Sequence, residues 1–140
     1  MTTRHDDWPD RLAAFLEARR RAPFAWGTND CVTFAADGVK QLRRDAVDII
    51  AADRGAWATE DEAETLLASR GGLETALADL AAVADLPQVS PLLAARGDLV
   101  LARVGNQVLA GLVNGSTIAV TGAEGLQFVP ARMAFRAWKV

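Results

Sequence analysis

The chain has one cysteine and one histidine in 140 residues, and each scarcity excludes a kind of chemistry. A single cysteine, Cys31, rules out an internal disulfide. With His5 as the sole imidazole, a zinc site built from the usual ligands is excluded too. Neither a metal nor a cofactor is expected. No apolar run approaches the roughly 18–20 residues needed to span a bilayer, so no membrane span is expected. Charge of one sign is also lacking: 15 Lys and Arg stand against 18 Asp and Glu, a formal net of −3. A nucleic-acid interface would show a basic stripe. The nearest thing here, Arg19-Arg20-Arg21, reads as the solvated last turn of a helix, where cations complement the helix dipole. The opening Met1-Thr2-Thr3-Arg4-His5-Asp6-Asp7 is polar, without the apolar stretch of a secretory signal, which places synthesis in a cytoplasm.

What remains is an ordinary globular composition, 51% hydrophobic and 24% charged. It suits one domain spanning residues 1–140, a size that buries roughly 68–70% of the unfolded surface. Asp7 before Trp8-Pro9-Asp10 signals a helix start, and Leu12, Phe15, Leu16 and Arg19 recur at helical spacing, predicting a helix over residues 9–21. Ala22-Pro23 ends it. A loop, Phe24-Ala25-Trp26-Gly27-Thr28-Asn29-Asp30, leads into a second helix with Val32, Ala35, Ala36 and Val39 on one face. Residues 51–57 read as a loose loop. Thr59-Glu60-Asp61-Glu62 is a capping box that opens a third helix to about Ser69; the acids over residues 60–64 read as a solvated helix start. Gly71-Gly72 stops it, and residues 73–84 read as a fourth, with Leu73, Leu77 and Leu80 inward.

Pro87 and Pro91 then break the helical pattern, and from Gly97 the residues turn β-rich. Strands are predicted over residues 99–104, 107–113, 116–121, 126–129 and 135–140. Gly105-Asn106 and Asn114-Gly115 mark hairpins. Helices followed by antiparallel strands make an α+β arrangement.

Cys31 falls in the first turn of the second helix, with Asn29 or Asp30 as its N-cap. Unpaired amides at a helix start favour the thiolate and could form an oxyanion hole. A lone cysteine beside Val32 and Phe34 equally fits a small buried hydrophobe. Trp26 would either stack on a ligand or pack on the sheet. Asp98, after Gly97, reads as a turn or edge residue, and Trp57 and Trp138 as core or interface anchors.

Trp26-Gly27-Thr28-Asn29-Asp30-Cys31, leading into a helix, resembles the nucleophile motif of the NlpC-type peptidases, compact papain-like enzymes that cut peptide bonds of peptidoglycan. Gly97-Asp98-Leu99-Val100 resembles the start of that family's first sheet strand. Leu109-Ala110-Gly111-Leu112-Val113-Asn114-Gly115 resembles its second, where the family carries a histidine two residues before the glycine. Trp8-Pro9, Phe24 to Cys31, Gly71-Gly72 and Ala137-Trp138 together resemble a branch found among tail-assembly genes of phages, prophages and gene-transfer agents. The resemblance implies an NlpC-type, papain-like fold, a tail-tip location, and other tail or baseplate proteins as partners, with cell-wall peptide as a further one.

This chain departs from the peptidase pattern at the base: Leu109 occupies that position, or Ala110 if the register shifts by one. Thr121 is the only polar residue near the third, orienting position, and Val32-Thr33 replace the usual Ser-Gly after the cysteine. His5 lies in a segment expected to fray. The expected site is therefore Cys31 as a relic nucleophile, with Trp26, Asn29, Asp30, Leu109 and Thr121 around it. The favoured function is a structural component of a tail tip on a degenerate peptidase fold. An active cell-wall peptidase or amidase using Cys31 is the alternative.

Overall fold

The computed structural model describes residues 3–140. Four helices, α1 (Trp8–Arg19), α2 (Cys31–Leu42), α3 (Glu60–Ser69) and α4 (Leu73–Val83), precede six strands. The strands are β1 (Gln88–Val89), β2 (Leu99–Val104), β3 (Gln107–Asn114), β4 (Thr117–Val120), β5 (Gln127–Pro130) and β6 (Ala134–Trp138). They form one antiparallel sheet in the order β1-β6-β2-β3-β4-β5. The α+β arrangement with helices first is thus the observed one; the two-residue β1 was not anticipated.

The connection from β5 to β6 dictates the sheet's shape. Four steps of chain separate Pro130 from Ala134, a reach of at most about 15 Å. Four strand spacings separate β5 from β6 in the sheet order, about 19 Å if the sheet were flat. The sheet must therefore curl. Its inner face closes around Val100, Ala102, Val113, Ile118, Val120 and Ala137, all buried. Its other face carries Leu99, Leu101, Ala110, Leu112, Ala119 and Trp138 into the main core with Leu12, Phe34, Val39 and Leu77 from the helices.

The first hairpin turns at Gly105-Asn106, as expected, and the second one residue later than expected, at Gly115-Ser116. Gly105 and Gly115, at φ +61° and +73°, each take the first of two loop positions, as in II′-type turns. Asn114 stays in β3, paired with Thr117. Asp7 differs as well. It holds the N-cap position of α1 but makes no cap bond, because its ψ of 24° is not extended; its carboxylate accepts from Arg11 instead. The Thr59 box forms with a one-residue offset: Thr59 Oγ1 accepts from Glu62 N, while Glu62 Oε1 accepts from Ala58 N.

α2 lies against β3 through Gly38, where a Cβ would overlap Leu112 and press within 3.1 Å of Phe15. Residues 46–57 are not loose. Ile49, Ile50 and Trp57 are buried, and Arg54 bridges Asp48 to Asp37 of α2, which also pairs with Arg19 of α1.

Asp98 is no edge residue: it is fully buried. Its Oδ1 accepts from Arg4 Nη2 at 2.7 Å and Val140 N at 3.1 Å, and its Oδ2 from Ala95 N at 2.9 Å. Arg4 also donates to the Val140 and Arg96 carbonyls and lies 4.3 Å over the Trp8 ring. Met1 and Thr2 of the segment expected to fray lie outside the described residues. The rest is tied down, with Arg44 N donating to Thr3 O and His5 N to Leu42 O.

Removing one partner of a buried pair strands the other charge, at a cost of about 3–5 kcal/mol. Asp98→Ala should lower unfolding free energy by about that amount in urea titrations. Gly38→Ala should cost about 1–3 kcal/mol through overpacking.

Candidate functional site

The loop before α2 is built around two buried polar side chains. Asn29 donates from Nδ2 to the Ala22 and Pro23 carbonyls and accepts at Oδ1 from Arg19. Asp30 is the N-cap of α2: Oδ1 accepts from Thr33 N at 2.8 Å. Its Oδ2 accepts from Gly27 N at 2.8 Å and from the indole Nε1 of Trp57 at 2.7 Å. Both residues are spent on holding the loop and helix start together. Gly27 has φ +81°, and a Cβ there would overlap the Trp57 carbonyl oxygen, so the loop and Trp57 approach as closely as only glycine permits.

Cys31 therefore opens α2, as expected, but its ionisation runs opposite to expectation. Burial raises the thiol from an ordinary 9.0 to about 11, and the negative Asp30 adds to the rise. The backbone amides of Ala110, Val32 and Cys31 favour the thiolate but are outweighed. At neutral pH the sulfur is a thiol.

The strand opposite settles which residue faces it. Leu109 pairs with Ala102, packs with the inner cluster of the curled sheet and also lines the cavity beside Cys31. Ala110 pairs with Leu101, belongs to the helix-facing core, and presents its amide to the Cys31 sulfur. Leu109 and Ala110 thus fall on opposite faces of β3, because strand faces alternate with period two, and it is the backbone of Ala110 that reaches Cys31. Thr121 is buried just beyond β4 with its hydroxyl unpartnered among the described residues, and it does not join the cavity wall. His5 docks at Leu42, eleven residues along α2 from Cys31, about 16 Å away at the helical rise.

Beside Cys31 lies a feature that motif reading missed, a cavity of about 500 Å³. α3 and α4 roof it with Leu66, Leu67, Leu73 and Leu77, while Trp57 and Val108 complete its apolar wall. Trp26, 37% exposed and edge-on to Phe24 with ring centroids 4.7 Å apart, stands at its border. Its charged groups are Asp30, Glu60, and Asp53 paired with Arg70. The inward leucines of α4 were legible; that they line a space rather than fill one, together with Leu66 and Leu67 of α3, was not. No cluster of potential metal ligands occurs among the described residues.

A profile for a domain of unknown function, DUF6950, matches residues 3–140. The chain belongs to the DUF6950 family. No curated protein and no solved structure matches it. The DUF6950 domain thus places a protonated cysteine and a leucine-walled cavity at the start of one helix.

Alkylation of Cys31 by iodoacetamide should rise about tenfold per pH unit through pH 9 and level only near pH 11. Asp30→Asn removes the nearby negative charge and should move that midpoint down. Because the unfolded thiol ionises first, the native domain should lose stability as pH rises from about 9 towards 11, read from urea midpoints of wild type against Cys31→Ala.

Proposed function

We propose that this DUF6950 domain is a catalytically silent relative of the NlpC-type, papain-like peptidases and serves as a structural component of a phage or gene-transfer-agent tail tip. One observation carries the silence: the Cys31 thiol is held protonated by burial, and what β3 presents to it is the Ala110 amide rather than a base. Hydrolysis of a peptide bond requires a thiolate to attack and an acid to protonate the leaving amine. Neither is supplied. Asp30, the nearest carboxylate, already accepts three hydrogen bonds. Loss of a triad member elsewhere leaves only about 10³–10⁴-fold catalysis over water, from binding and the oxyanion hole.

The kinship is supported by the order of elements (a leading helix, a cysteine-opened helix, an inserted helix pair and an antiparallel sheet) together with the motifs at Trp26 to Cys31, Gly97 to Val100 and Leu109 to Gly115. The tail-tip assignment rests on the end-to-end resemblance to the tail-cluster branch, with other tail or baseplate proteins as partners. The cavity disfavours the alternative of a working peptidase. Its wall is apolar and its charged groups are mostly acidic, a poor match for cell-wall peptides that themselves carry carboxylates.

Purified protein incubated with peptidoglycan should release no peptide, and particles made with Cys31→Ala should assemble and infect as wild type does. Deletion of the gene should yield particles with defective tails. Peptide release abolished by Cys31→Ala would sink the silent reading; normal, infective tails after deletion would sink the structural one.

A further inference from the structure

The cavity beside Cys31 has the size and lining of a ligand site rather than of a packing defect. Interiors are close-packed, with few voids larger than a water molecule, whereas about 500 Å³ lies within the range of small-molecule pockets. The cavity is partly open to solvent, and its largely apolar lining offers water few hydrogen-bond partners. Leu66, Leu73 and Leu80 remain half-buried and line this space.

We propose that this cavity binds an uncharged molecule with a single alkyl chain, such as a fatty alcohol. The chain lies among Leu66, Leu73, Leu77 and Leu80, and its end reaches Cys31. Charge decides the head group. Arg70 is neutralised by Asp53, and Asp30 is consumed by its three donors. That leaves the carboxylate of Glu60, which has no ion-pair or hydrogen-bond partner among the described residues and repels an anionic head. A hydroxyl or ester suffers no such penalty. The proposal deepens the reading of a silent site, since an occupant at an unreactive thiol is held rather than processed.

Hexanol, octanol and decanol titrated into the whole protein by calorimetry should bind saturably, with affinity rising about fourfold per added methylene. Decanoate should bind more weakly than decanol. Leu66→Trp and Leu80→Trp, which fill the space from two helices, should each weaken decanol by about tenfold or more while keeping the wild-type melting transition. In unaltered protein, decanol should slow alkylation of Cys31 by N-ethylmaleimide. Absence of saturable alcohol binding, undiminished binding in a folded tryptophan variant, or tighter binding of decanoate would overturn the proposal. None of these outcomes bears on hydrolysis, and peptide release by Cys31 would fail the silent reading without touching the alcohol titration.

Discussion

The Asp30 carboxylate is the constraint on which the site depends. One side chain caps α2 through Thr33 N, fixes the preceding loop through Gly27 N, and anchors the 46–57 segment through the Trp57 indole. Each bond could be replaced alone. Together they join the loop, the cysteine helix and the segment that carries the chain towards α3. A cap is worth about 0.5–2 kcal/mol, and an indole left without an acceptor costs about 1–3 kcal/mol more. An acid in this setting cannot also serve as a catalyst, since its lone pairs are committed. The Asn-Asp-Cys sequence is in this sense an architectural motif first: Asn29 holds the end of the preceding loop, Asp30 the helix start, and Cys31 follows where they put it.

Magnitudes explain why that position does not make Cys31 reactive. A helix terminus stabilises a nearby charge by about 0.3–1 kcal/mol, and by up to about 2 kcal/mol where partly buried. The shift from 9.0 to about 11 corresponds to about 3 kcal/mol in the opposite direction. Burial thus overrides the amides, and the Asp30 charge adds to it. Had a histidine stood at Ala110, its imidazolium would have been the term able to reverse the balance. An aliphatic neighbour leaves desolvation unopposed.

Much of the fold was legible because its signals are local. Thr59, Gly71-Gly72 and the hairpin glycines act through their own backbone, and alternating apolar residues after Gly97 declare strands. Cys31 and its Asp30 cap were legible for the same reason. What escaped depends on distant pairs. Asp98 looked like a turn residue because its partners, Arg4 and Val140, are 94 and 42 positions away. The choice between Leu109 and Ala110 required the register of β3 against β2, since a slip of one exchanges the two faces. The cavity was invisible for a related reason: helical periodicity says which leucines face inward, but only packing says whether anything meets them.

On the proposed kinship, loss of the base and survival of the fold are compatible because the two draw on different residues. A histidine at position 110 would contribute its imidazole to the space beside Cys31, whereas the Asp30 bonds, the Arg4–Asp98 pair and the curl imposed by residues 130–134 lie outside that space. An alanine there costs the scaffold nothing it depends on, and its methyl fits the helix-facing core that Leu101 and Leu112 already form. On the proposed reading, α3 and α4 wall the space beside the thiol with leucines, which a hydrolase that must admit water and a charged peptide could not accept. The protonated thiol and the apolar wall beside it therefore belong to one arrangement, in which each makes the other tolerable.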